Sequence, residues 1–405
     1  MNQFDDIRPY SDAEVAPIID RLLKNKEFLA TVTRFRFPSL PVFLVSLLLP
    51  AVRLFLKKQA SQIITVKDFQ ILIKRYADRM LRETSSGLTV TGKRHLNSNK
   101  NYLFISNHRD IAVDPAVINL ALYECDFTTL QIATGDNLFT KSYVSDLMRI
   151  NKSFIVNRSA TKPREKLKAA KLLSAYIYHV ATELKDNVWI AQREGRAKNG
   201  IDKTNSAVIG MLALNKSKTV ELCEYIRNLN IVPVSISYER DPCDIAKAQE
   251  LYAHKEYGVY QKKEHEDACS IAKGITGFKG RVHVTFGKPL DGNYNTTDEV
   301  VTEIDHQIIS NYVLQASNCI AYQELHGSLP DNTVITHQRV PFNETNFLTE
   351  VQQFRQHIAQ CDEAYRDILL TMYANPIVCQ QSQKPTQSAA LAEANAKTIA
   401  RDQTI

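Results

Sequence analysis

The sequence predicts an α/β fold: a mostly parallel sheet flanked by helices, with an N-terminal helical, membrane-associating segment and a C-terminal helical extension. Two observations carry this. From Gly87 onward, short apolar or alternating runs recur at 88–90, 102–105, 154–156, 188–191, 231–236 and 282–286. Helical patterns such as 165–184 and 206–214 lie between most of them, and strands alternating with helices imply a parallel arrangement. The chain therefore divides into residues 1–86 (helical), 87–292 (α/β), 293–379 (helical) and a polar tail at 380–405.

Taken in order, Ser11 and Glu14 form a capping box that opens a helix running to about Leu29, with Pro17 inside it. The stretch 37–56 follows. Its first sixteen residues, 37–52, carry no charge, which is short of the roughly 20 needed to span a bilayer. Arg34 and Arg36 precede it, and Arg53, Lys57 and Lys58 follow. An apolar segment with basic flanks suits a helix or hairpin that dips into one leaflet of an anionic membrane; a buried core helix is the alternative. Thr65 and Asp68 start a further helix whose stripe is Phe69, Leu72, Ile73, Tyr76 and Met80, opposite a basic face. Beyond Gly292, Ile304, Ile308, Ile309 and Tyr312 recur at helical spacing, a loop is expected at 327–345, and 380–405 reads as too polar to pack.

Composition narrows the function. The chain has 405 residues, a net charge of +6 and 23% charged residues. This mild basicity suits a phosphorylated substrate or an anionic membrane surface and does not argue for nucleic acid. Seven scattered cysteines without metal-like spacing read as reduced thiols in a cytosolic setting, and no secretory signal is visible at the N-terminus.

The chemistry gathers where apolar runs end. The run 102–105 breaks into Asn107, His108, Arg109 and Asp110, and Asp114-Pro115 then reads as the cap and first position of a helix. Arg158 follows the run at 154–156, and Arg193, Glu194, Gly195, Arg196 and Lys198 follow the run at 188–191. The ends of parallel strands share one sheet edge, so these residues should meet there. A histidine beside a carboxylate is a base with its orienter, and arginines bind phosphate bidentately. Asp110 and Asp114 are both candidates for the orienting carboxylate.

These blocks resemble the glycerolipid acyltransferase family, which includes the glycerol-3-phosphate and 1-acylglycerol-3-phosphate acyltransferases. The resemblance covers about residues 90–290. It rests on Asn107-His108 with Asp114-Pro115, on 153–158 ending in Arg158, on 193–200 with Glu194, Gly195 and Arg196, and on the strand containing Pro233. A weaker fifth match is 286–290, Phe-Gly-Lys-Pro-Leu. Some features depart from the family pattern. Five residues rather than four separate His108 from Asp114, Lys152-Ser153 replaces a glycine, and Glu194 lies one residue nearer Arg196 than usual. The resemblance implies transfer of an acyl group from acyl-CoA or acyl carrier protein to a glycerol phosphate hydroxyl at the cytoplasmic face of a membrane. His108 would be the base, Asp114 or Asp110 its orienter, and Arg158 and Arg196 the phosphate ligands, with Arg193, Glu194, Gly195 and Lys198 beside them. Neither a cofactor, nor a metal, nor an acyl-enzyme is implied. The acceptor expected first is 1-acylglycerol-3-phosphate, with glycerol-3-phosphate or a lyso-aminolipid as alternatives. Two other readings compete. His108-Arg109-Asp110 spells a kinase catalytic triplet, but Pro115 stands where that motif needs Asn, and its glycine-rich loop and Asp-Phe-Gly are missing. A lipid-binding module without catalysis is the second.

Overall fold

The computed structural model describes residues 3–37, 39–328 and 344–383. Seven strands form one sheet: β1 (Leu88–Thr91), β2 (Leu103–Ser106), β3 (Leu130–Gly135), β4 (Ser153–Val156), β5 (Asn187–Ala191), β6 (Ile231–Tyr238) and β7 (Val282–Phe286). Their order is β1-β7-β6-β2-β5-β3-β4. Every pairing is parallel except β6 with β7. The sheet is thus the expected α/β type with one antiparallel step.

β2 lies at its centre, and all four of its residues are buried. Alternation along β2 divides the core. Leu103 and Ile105 join Val188, Ile190 and Ile231 on one face, covered by Ile177, Ile209 and Ile304 from helices α7 (Pro163–His179), α8 (Ser206–Ala213) and α12 (Thr297–Ser310). Phe104 joins Trp189, Val232, Val234 and Phe286 on the other, against Val117, Ile118 and Ala121 of α5 (Val113–Tyr123).

The N-terminal region contains α1 (Asp12–Lys24), α2 (Lys26–Arg36), α3 (Val42–Ala60) and α4 (Val66–Thr84). The single helix expected from Ser11 to about Leu29 is in fact two. Asn25 adopts an extended backbone, and its side chain accepts a hydrogen bond from Phe28 N, which starts α2 afresh. The capping boxes at Ser11/Glu14 and Thr65/Asp68 form as expected. Arg21 Nε donates to Asp146 at 2.7 Å and fixes α1 to α6 (Ser142–Ile150). The amide of Ile155 donates to the carbonyl of Ile7 at 2.9 Å, so N-terminal residues cover the β4 edge.

α2 and α3 pack on each other, yet α3 buries only Val45. Phe43, Leu47 and Leu54 are each about 71–72% exposed, and Phe35 and Phe55 are exposed as well. No described helix is long and apolar enough to cross a membrane.

β3 was not among the expected strands. Its sequence, LQIATG, interrupts the apolar pattern with Gln131 and Thr134, both buried. Gln131 Oε1 accepts from the Tyr176 hydroxyl at 2.6 Å, so a satisfied polar residue hides a core strand from a hydropathy reading.

Helices α9 (Leu222–Asn228), α10 (Asp244–Tyr257) and α11 (Glu266–Thr276) precede β6 or join β6 to β7. After α12 come α13 (Ala316–His326), α14 (Glu344–Ile358) and α15 (Glu363–Ser382). Their core of Ile320, Phe354, Leu369 and Tyr373 includes Ala248 of α10. Most of the loop expected at 327–345 and nearly all of the tail at 380–405 lie outside the described residues.

Gly200 marks how closely α15 approaches the sheet edge. It has φ +78°, and a Cβ there would stand 2.0 Å from the carbonyl oxygen of Met372. Gly200→Ala is therefore expected to cost about 1–3 kcal/mol or more, from overpacking and a left-handed backbone together. Urea denaturation would detect it; an unchanged midpoint would contradict this packing.

Candidate active site

Four of the sequence-predicted blocks reach the carboxyl edge of the parallel strands, whereas 286–290 follows the antiparallel β7 to the opposite edge, where the Leu290 amide donates to the Ile231 carbonyl. His108 follows the end of β2 by two residues, Arg158 the end of β4 by two, and Arg193 the end of β5 by two. Tyr238 is the last residue of β6. His108, Arg158, Arg193, Glu194, Gly195, Arg196 and Lys198 line a single cavity of about 900 Å³.

The dyad is resolved. His108 Nδ1 lies 2.8 Å from Asp114 Oδ2, and Asp114 is fully buried in the first turn of α5. The same carboxylate accepts from the amides of Arg109 at 2.6 Å and Asp110 at 3.0 Å, and its other oxygen accepts from the Tyr238 hydroxyl at 2.8 Å. A carboxylate oxygen in this ring of donors accepts, so the imidazole donates through Nδ1. Nε2 is then the basic nitrogen. Burial, and next the charge of Asp114, push the Tyr238 phenol well above its usual range, so it remains a donor.

Asp110 does something else. Its Oδ1 accepts from the amides of Ala112 and Val113 at 2.9 and 2.8 Å, which closes the turn into α5. It is not the orienter of His108, because its carboxylate is committed to that turn. Burial first, and then Asp114, raise its pKa. Asp114 is correspondingly not the helix cap expected from the Asp-Pro pair; α5 begins two residues earlier, at Val113, with Ala112 at the cap.

The loop is held from beneath. Asn107 donates to Asp202 Oδ2 at 3.0 Å and to the Ile236 carbonyl at 2.9 Å, and accepts from the Ile236 amide at 2.8 Å. Arg109, nearly buried, pairs with Asp202 at 2.6 Å and lies over the Tyr312 ring at 5.6 Å. It is thus a structural cation, turned away from the site. The edge of Trp189 approaches the His108 ring, with centroids 5.7 Å apart, and its indole N–H is fixed by Ser106 at 2.9 Å. The amide of Ala197 donates to the His108 carbonyl at 2.7 Å, which brings the segment 193–198 alongside.

Cationic side chains line part of the cavity. Arg158 lies against the backbone of Gly135, where a Cβ would come within 3.1 Å of its Nε, and its Nη1 is 3.7 Å from Glu194. Arg196 Nη2 reaches Ser270 of α11 at 3.5 Å. Lys198 is drawn away to Glu250 of α10. Apolar side chains line the same cavity: Phe69, Ile73 and Ala77 of α4, Pro115 and Leu120 of α5, and Leu147 and Met148 of α6. Tyr238, Trp189 and Asp202 were not singled out from sequence. Tyr238 ends the apolar run of β6, and that position was the available signal.

Asp114→Asn should lower kcat by about 10²–10⁴, the typical contribution of a positioned base, whereas Asp110→Asn should act mainly on stability. Steady-state turnover and thermal melting of both variants would separate the two roles. Equal loss of turnover in both would contradict the assignment.

Comparison with known proteins follows the same lines. The family model described as acyltransferase matches residues 87–237. Among solved structures, the 1-acyl-sn-glycerophosphate acyltransferase PlsC from Thermotoga maritima is similar over 60% of this chain and 78% of its own, at 12% identity and a TM-score of 0.36. None of the curated proteins compared with the chain matches it. The matched segment, 87–237, is thus an acyltransferase-type domain, and it contains His108, Asp114, Arg158 and Arg196.

Proposed function

We propose that the chain transfers a fatty acyl group from a thioester donor, acyl-CoA or acyl carrier protein, to a hydroxyl of a glycerol phosphate, with 1-acylglycerol-3-phosphate as the foremost acceptor. One observation carries this reading: a single cavity is lined by His108 of the His108–Asp114 dyad and by arginines, and also by apolar side chains of α4, α5 and α6. Such a cavity suits a molecule with a phosphate head and an acyl tail.

In this reading His108 Nε2 removes the proton from the glycerol hydroxyl as its oxygen attacks the thioester carbonyl. Asp114 stabilises the imidazolium. The tetrahedral intermediate collapses, the C–S bond breaks, and the departing thiolate takes the proton from His108. Arg158 and Arg196 hold the acceptor phosphate.

An acceptor with one acyl chain resides in a bilayer, and the exposed Phe43, Leu47 and Leu54 beside Arg34, Arg36, Arg53, Lys57 and Lys58 would set the protein on an anionic leaflet, at the cytoplasmic face. The attachment would be peripheral or monotopic.

Labelled acyl thioester, offered with 1-acylglycerol-3-phosphate or glycerol-3-phosphate in vesicles, tests the reaction. His108→Ala should lose about 10²–10⁴ in kcat. Arg158→Ala should raise the acceptor KM about 10–100-fold, the equivalent of one charge-assisted hydrogen bond. Preference for glycerol-3-phosphate would move the acceptor to the soluble one, and vesicle binding with no turnover on any acceptor would leave only a lipid-binding role. Leu47→Glu should weaken sedimentation with anionic vesicles about tenfold, since it removes one apolar side chain that would enter the leaflet. An unchanged partition would move the membrane face elsewhere.

A further inference from the structure

The family match ends at residue 237, yet the loop bearing His108 is gripped from beyond it. Lys247 of α10 is only 2% exposed. Its Nζ donates to the Arg109 carbonyl at 2.7 Å and pairs with Asp241. The amide of Asp241 donates to the Tyr373 hydroxyl at 3.0 Å. That hydroxyl donates to Asp244 Oδ2 at 2.7 Å, and His357 Nε2 lies 2.6 Å from the same oxygen. Tyr373 belongs to α15 and His357 to α14, so a chain of polar contacts runs from two C-terminal helices to the residue after His108.

The point of contact matters. The Arg109 carbonyl and the Asp110 amide belong to one peptide unit. Its oxygen accepts from Lys247, and its N–H donates to Asp114 Oδ2, the oxygen that holds His108 Nδ1. A cation on the carbonyl polarises the peptide and strengthens its N–H as a donor. It also fixes the plane of that peptide, and with it the carboxylate that orients the imidazole.

A buried ammonium is costly to desolvate unless it is paired and hydrogen-bonded. Burial alone would raise the Asp241 pKa, but Lys247 holds it below the usual carboxylate range, so that carboxylate stays ionised. An apolar side chain would fill this volume with less desolvation. The cation therefore has a use that packing does not explain.

We infer that Lys247 is a positioning residue for acyl transfer, acting on His108 through the Arg109–Asp110 peptide and Asp114, and that α14 and α15 support it through Tyr373 and Asp244. The inference rests on the acyltransferase reading for its turnover test.

Three variants decide it. Lys247→Met keeps length and volume but removes the charge and the donor. Tyr373→Phe removes one hydroxyl. Leu369→Ala weakens the same C-terminal core without touching the polar chain. Per folded molecule, Lys247→Met should lose about 10–100-fold in kcat with both KM values within about twofold, as expected when a reacting group is slightly misplaced. Tyr373→Phe should lose about 3–10-fold in the same way, and Leu369→Ala should lose stability while kcat stays within about twofold. The rate at which diethylpyrocarbonate modifies His108, read by peptide mass spectrometry, should rise several-fold in the first two and not in the third. Wild-type kcat in Lys247→Met, or losses in all three that track melting temperature, would overturn the inference. If Lys247→Met does not fold, Tyr373→Phe decides on the same criteria. A wild type without turnover whose His108 modification still responds to Tyr373→Phe would sink the acyl-transfer reading and leave the positioning intact. An unchanged modification rate would do the reverse.

Discussion

The site depends on one buried carboxylate. Asp114 receives hydrogen bonds from two backbone amides, a phenol and an imidazole. Losing solvation costs an ionised carboxylate several kcal/mol, and charge-assisted bonds of roughly 1.5–3 kcal/mol each offset it. The arrangement is self-consistent only if the chain turns sharply after β2 and returns as α5, because the amides of Arg109 and Asp110 must point at a residue four or five positions ahead. Asn107 and Asp110 enforce that turn from its two ends, one on the β6 backbone and one on the start of α5. His108 is held at the sheet edge as a consequence.

The cavity joins two chemistries because two kinds of element meet at that edge. The segments that follow the strand ends supply Arg158, Arg193 and Arg196. Helix flanks from α4, α5 and α6 supply the apolar wall. The N-terminal helices are therefore part of the acyltransferase unit in space although the family match begins only at residue 87. Phe69 illustrates this: it packs with Val15 and Ile150 in the N-terminal core and also lines the cavity.

Much of this was legible in the residues. Apolar runs with polar breaks located six of the strands, and the parallel run of β2, β4, β5 and β6 brings the ends of those four together. What the sequence left open was decided by groups distant in the chain. Asp110 and Asp114 are equivalent candidates by spacing, and the choice comes from backbone amides claiming Asp110. Asn25 divides a helix that periodicity runs together, since a side-chain cap interrupts the backbone without interrupting the apolar stripe. β3 was invisible because Gln131 meets its partners, Tyr176 and Asp186, far along the chain. Arg109 reads as a surface or phosphate-binding cation, and only the fold turns it inward to Asp202.

The antiparallel placement of β7 bears on how the molecule is made. β1 pairs with β7 and with no other strand of the sheet, and Thr89 meets His283 across a separation of 194 residues. During synthesis at about 5–20 residues per second, β1 would wait roughly 10–40 s for its partner. Over that interval it is an unpaired edge, and its four-residue length makes it a poor template for a stray strand. The segment matched by the family model lacks β7 altogether, so cutting the chain at residue 237 would strand β1 and uncover the flank of β6. The boundary of sequence likeness and the boundary of a foldable piece are different places in this chain.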